Sequence, residues 1–124
     1  MKKPPKVKIE EVKLSENFFN SNGYRYSAFK LIEHSEQFNV FDLPLAGIDL
    51  TTMAWGINSM DDFIYHAKRC VDTDLKYPVL LTPKGQVCDG WHRICKAIVL
   101  GKKSIKAIRL ESMPDYDSYE EPDE

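Results

Sequence analysis

The sequence predicts an α+β (or α/β) fold, a small mixed sheet with helices packed on it. Three observations carry this reading. Two stretches, near 60–72 and 90–100, repeat apolar residues at helical spacing. Short branched and aromatic runs at 24–33, 38–43, 77–82, 86–88 and 104–111 read as strands between turn residues. A chain of 124 residues, 43% of them hydrophobic, suits one domain that buries its own core without disulfides or metal.

In order, residues 1–23 form an N-terminal arm, Lys/Pro-rich at 1–8, ending in the turn signal Ser21-Asn22-Gly23. YRYSAFKLIE at 24–33 reads as a strand. The polar turn HSEQ leads into FNVFDL at 38–43, bounded by Pro44 and Gly47, and the two runs predict a hairpin. Residues 48–58 are a short helix or an irregular loop, with Asp49 or Thr51 as a cap. Ser59 is an N-cap with Asp62 three residues on, a weaker capping box. Met60, Phe63, Ile64, Ala67 and Val71 then make one apolar stripe on a helix over 60–72, and Asp62, His66 and Arg69 line its other side.

Asp72-Thr73-Asp74 ends that helix. YPVLLT at 77–82 is an apolar strand with Pro78 near its start, where a missing N–H does least harm. Pro83-Lys84-Gly85 is a turn, and Gln86-Val87-Cys88 returns as a short strand. The helix 90–100 turns Ile94, Ala97 and Ile98 to the core, with Gly101 as its C′ residue and Lys102-Lys103 at the negative end of its dipole. SIKAIRLE at 104–111 is a closing strand facing inward through Ile105, Ala107 (or Ile108) and Leu110. The order is roughly β-β-α-β-β-α-β, so residues 24–111 form the domain and 112–124 an acidic, disordered tail.

The net charge of −2 hides an asymmetry. Residues 111–124 hold seven acids and no base, which leaves 12 acids against 17 bases in the remainder, a body of net +5. The tail is a solubilising segment, or it folds over a basic surface and competes with polyanions. No apolar run approaches the ~20 residues that span a bilayer, and no apolar segment follows the N-terminal lysines. The expectation is a soluble, cytoplasmic protein with no membrane partner. Cys70, Cys88 and Cys95 form no C-x-x-C pair, so a disulfide framework is not expected. Cys88, His92 and Cys95 crowd one turn but offer only three ligands at irregular spacing, a poor zinc set. Cys70 and Cys95 read as small core residues.

The chemistry concentrates in Asp89-Gly90-Trp91-His92-Arg93, at a strand-to-helix turn. A helix start leaves backbone N–H groups unpaired and carries the positive end of the dipole, so it receives anions. Gly90 allows a positive φ and close approach of a ligand. Arg93 can hold a phosphate with two bonds, and His92 can donate or act as acid or base. Asp89 complicates the cradle: at the N-cap it would take the free N–H groups and repel a phosphate. Either it only caps, or a divalent cation such as Mg²⁺ bridges Asp89 to the phosphates.

The run DGWHRICKAIVLGKKSIKAIRL, preceded by YPVLLTPKGQV, resembles the ParB N-terminal/sulfiredoxin-like superfamily. The likeness covers roughly 40–111 and rests on Gly90, His92, Arg93 and Ala97. It implies a nucleotide (ATP, ADP or CTP) held at Gly90, Trp91, His92 and Arg93, with Asp62, His66 and Arg69 on a second wall. Sulfiredoxins place a catalytic cysteine where this chain has Trp91, so sulfinic-acid reduction is not expected. Partition proteins of the ParB type continue into a helix-turn-helix domain, where this chain has its acidic tail. The D-G-x-[HT]-R form is similar to that of the superfamily's free-serine kinases. That likeness implies Asp89 and His92 as catalytic groups and Asp89 as a metal ligand, with Glu33 or Asp49 as a second carboxylate.

Three functions follow as expectations. The first is nucleotide binding with metal-dependent hydrolysis or phosphotransfer. The second is a DNA-associated regulator or weak nuclease, resting on the +5 body. The third is a non-catalytic interaction module, in which Trp91 is an exposed contact; in the first, its indole stacks on a base.

Overall fold

A computed structural model describes residues 17–121; the Lys/Pro-rich start of the arm and the last three tail residues lie outside the described residues. The fold is α+β, with two sheets and three α-helices. The elements are β1 (Phe18–Ser21), β2 (Tyr24–Ser27), α1 (Ala28–Ser35), β3 (Val40–Pro44), α2 (Met60–Asp72), β4 (Val79–Leu81), β5 (Val87–Asp89), α3 (Trp91–Val99), β6 (Ser104–Arg109) and β7 (Ser118–Tyr119). A 3-10 turn, Leu45–Gly47, follows β3.

The four-stranded sheet has the order β3-β6-β4-β5. β6 is its hub, antiparallel to β3 and parallel to β4. β4 and β5 form the expected hairpin across Pro83-Lys84-Gly85, closed by Thr82 N–H to Gln86 O at 2.8 Å and Gly85 N–H to Thr82 O at 2.8 Å. Alternation sorts the core into two layers. Val79, Leu81, Ile105 and Ala107 pack with Ile94 and Ala97 of α3, while Leu80, Ile108 and Leu110 pack with Tyr26 and with Leu31 of α1.

α2 spans the expected residues, and α3, Trp91–Val99, lies within one residue of its expected ends, with Gly90 instead of Asp89 at its N-cap. Ser59 Oγ accepts Asp62 N–H at 3.2 Å, and Asp62 Oδ2 accepts Asn58 N–H at 3.0 Å, a capping box shifted by one residue. α3 closes with Lys102 N–H on Ala97 O (2.9 Å) and Gly101 N–H on Ile98 O (3.0 Å), a Schellman motif. Residues 48–58 are an irregular loop in which Asp49 Oδ1 accepts both the N–H (2.9 Å) and the hydroxyl (2.6 Å) of Thr51.

Three expectations are corrected. The run 24–33 is not one strand: β2 stops at Ser27, whose hydroxyl accepts Lys30 N–H (3.2 Å) and starts α1. The hairpin lies earlier, between β1 and β2, so Phe18–Ser21 of the supposed arm is strand. Its two-residue turn has Asn22 at φ 51° and Gly23 at φ 88°, both positive as a type I′ turn demands. β3 pairs with β6 instead of β2. The tail is ordered through Glu121: β7 pairs with β2, and Asp117 accepts Ser27 N–H (2.6 Å) and holds Lys30 (3.0 Å). The acidic run thus folds back on its own chain through specific bonds that composition does not report.

α2 departs from the usual amphipathic arrangement. Its apolar stripe faces solvent, with Met60 69% and Val71 72% exposed, and none of its residues is fully buried. The side carrying His66 and Arg69 faces the cleft, and His66 also reaches α3.

Candidate functional site

A cleft of about 770 Å³ opens where the amino end of α3, the inner side of α2 and the 48–58 loop meet. Gly90, Trp91, His92, His66, Arg69 and Trp55 are among its walls.

The start of α3 is built from β5. Asp89 is the last residue of β5, and the N-cap is Gly90, at φ 112°. A Cβ on Gly90 would stand 2.9 Å from Arg93 Nη2 and 3.0 Å from Val79 Cγ2. The glycine is thus demanded by its own helix and strand. Because it has no side chain, no side-chain cap closes α3, and Ile94 N–H is the first to bond inside the helix (Gly90 O, 3.0 Å). The N–H groups of the first turn have no intrahelical partner.

Asp89 and Arg93 hold each other. Arg93 Nη2 donates to Asp89 Oδ2 at 2.8 Å and to Pro78 O at 3.2 Å, with the two side chains only 16% and 18% exposed. Arg93 bolts α3 to the strands and is not the phosphate clamp that the motif suggested. Asp89 is likewise not the helix cap. The pairing offsets the charge that would have repelled a phosphate.

The residues do not fit a resident metal. Among the described residues no group of three or more His, Cys, Asp or Glu is gathered around one point. Glu33 is exposed on α1, and Asp49 is engaged with Thr51. Cys88 donates to Leu80 O (3.4 Å), and burial, then Asp89, pushes its thiol up to about 12.

His92 and His66 form the centre of the cleft. His66 Nδ1 and His92 Nε2 are 2.9 Å apart. The ring centroids are 5.1 Å apart with planes 11° from parallel. With that N···N distance, the rings lie edge to edge in nearly one plane and share one hydrogen. The indole of Trp55 covers both, at centroid distances of 4.4 Å (His66) and 4.2 Å (His92) and tilts of 14° and 17°. Burial holds the His92 imidazole down to about 3, with Arg69, His66 and Arg93 adding to it. Burial and then Arg69 also lower His66, against a small opposing pull from Asp62. Both rings are therefore neutral at physiological pH, so His92 offers a lone pair or one N–H rather than a cationic donor.

Arg69 reaches the cleft with its guanidinium 5.9 Å from the Tyr65 ring centroid, and among the described residues no carboxylate forms a salt bridge with it. Of the expected second wall, His66 and Arg69 are present, while Asp62 stays at the head of α2 as its cap. Trp91 is half-buried against the Leu45–Val79 core and is not the exposed contact expected. Trp55 was missed, because a tryptophan in an irregular loop carries no periodic signal. No family model matches the chain, and no curated protein or solved structure matches it. Fold and site together define a small α+β protein with a histidine-paired cleft at a helix start. Among the described residues no helix is long and apolar enough to cross a membrane.

Proposed function

We propose that this cleft binds a nucleotide or another phosphate-bearing small molecule of that size, in the manner of the ParB N-terminal/sulfiredoxin-like superfamily. The observation that carries the proposal is the meeting of two features in one 770 Å³ space: the uncapped start of α3 and Arg69, which no carboxylate among the described residues pairs. Backbone N–H groups and a guanidinium are the two donors phosphates use most. Trp55, Tyr65 and Trp91 supply flat surfaces for a base. Because Asp89 is already balanced by Arg93, binding does not depend on a divalent cation.

The experiment is a thermal-shift and calorimetric titration with ATP, ADP, CTP and inorganic phosphate, in Mg²⁺ and in EDTA. A nucleotide raises the melting point in both buffers, and Arg69→Ala weakens it roughly tenfold or more while the fold stays intact. Absence of any shift, or full affinity in Arg69→Ala, removes the proposal.

The solvent-facing stripe of α2 favours a second reading, the protein-interaction module. Anchors at i, i+3 and i+4 are how a helix docks on a groove or a partner helix. In its self-associating form this requires a sedimentation coefficient that grows with concentration and stops growing in Phe63→Ser.

A further inference from the structure

Two thiols meet in the seam between α2 and α3. Contacts on either side set the register. His66 Nδ1 lies 2.9 Å from His92 Nε2. Further along, Lys96 Nζ donates to Val71 O (3.0 Å) and Thr73 O (2.6 Å). The helices therefore run in the same sense past each other. Cys70 is four residues beyond His66 and Cys95 three beyond His92, which returns both to the facing sides one turn on. Both are half-buried and close enough for each thiol to act on the other, and burial raises both above the ordinary thiol value.

We propose that Cys70 and Cys95 form a reversible disulfide site that staples α2 to α3. The oxidant is a small-molecule disulfide. The fraction of Cys95 present as thiolate attacks one sulfur of that disulfide and expels a small thiolate, leaving a mixed disulfide on Cys95. Cys70 then loses its proton to water, and its thiolate attacks the Cys95 sulfur and expels the second small thiolate. Two protein thiols are oxidised by two electrons, and one small disulfide leaves as two thiols.

The staple matters because α2 has no fully buried side chain to anchor it. It carries His66 and Arg69, so fixing α2 fixes one wall of the cleft. Cys88 is the internal control. It is on β5, bonded to Leu80 O and without a second thiol facing it across the α2–α3 seam, and burial pushes its thiol up to about 12.

The test is to incubate the native chain with glutathione disulfide, quench with an alkylating agent and map the products by mass. The expected product is lighter by two hydrogens, with Cys70 and Cys95 peptides joined and Cys88 alkylated only after unfolding. Its melting point rises by roughly 5–15 °C and returns on reduction. Cys70→Ser instead retains a glutathione adduct at Cys95. Independent adducts on both cysteines of the native chain, a bridge through Cys88, a bridge between two chains, or no oxidation would each overturn the proposal.

Discussion

Helices α2 and α3 lie side by side with equally regular apolar stripes, yet they turn them to opposite surroundings. In α3, Ile94 and Ala97 are fully buried against the sheet. In α2, Met60, Phe63, Ile64 and Val71 face outward, and the inner side is histidine, arginine and cysteine. α3 is held by packing. α2 is held by a ring-to-ring hydrogen bond and by the Lys96 ammonium on its last carbonyls. The helix that contributes least to the core thus brings His66 and Arg69 to the cleft, which separates the work of stability from the work of the site.

The contrast breaks if the two stripes respond alike to truncation. Ile94→Ala should cost about 2–5 kcal/mol, because a filled position becomes a cavity, whereas Ile64→Ala on α2 should stay within roughly 0.5 kcal/mol. Denaturant unfolding of the pair checks this. The next largest effect is at the bolt: Arg93→Ala leaves Asp89 half-buried without its partner and should cost roughly 1–3 kcal/mol. Its urea midpoint should drop well below that of Arg69→Ala.

A further effect is set by pH. The folded protein holds His92 at about 3 against 6.5 for the free side chain, so only the unfolded chain takes up the proton between those values. The His92 contribution is complete above 6.5 and is lost as pH falls towards 3, on the order of 1 kcal/mol per pH unit. His66, also lowered, adds in the same direction. Unfolding midpoints at pH 7 and pH 5 should diverge in the native chain and diverge less in His92→Gln. An equal slope in both would mean the ring pair is not the neutral unit described above.

How much of this was legible in the sequence depends on the length of each signal. The 13-residue α2 and the 9-residue α3 were readable from periodicity and caps. The eight-residue α1 was not: Ala28, Leu31 and Ser35 are its buried face, too few positions to outweigh the aromatic run YRYS ahead of them. Ser27, an N-cap candidate, was the neglected signal. For the tail, composition argued disorder, while order came from one carboxylate, Asp117, and a two-residue strand. The D-G-x-H-R turn does lie at the cleft, but Arg93 is paired with Asp89, an i,i+4 partner that the spacing offered and the reading passed over. Periodicity says which residues of α2 share a face but not which face turns inward. The pairing of His66 with His92 joins positions 26 residues apart and leaves no trace in spacing.

The hub position of β6 has a consequence for synthesis. β3 and the β4–β5 hairpin share no partner except residues 104–109, which are made after both. A ribosome that has released only the preceding residues presents β3 and the hairpin with their pairing edges vacant and Val79, Leu80 and Leu81 uncovered. The nascent chain is therefore most prone to misassociation just before Ser104–Arg109 emerges, and a translational pause there would lengthen that exposure.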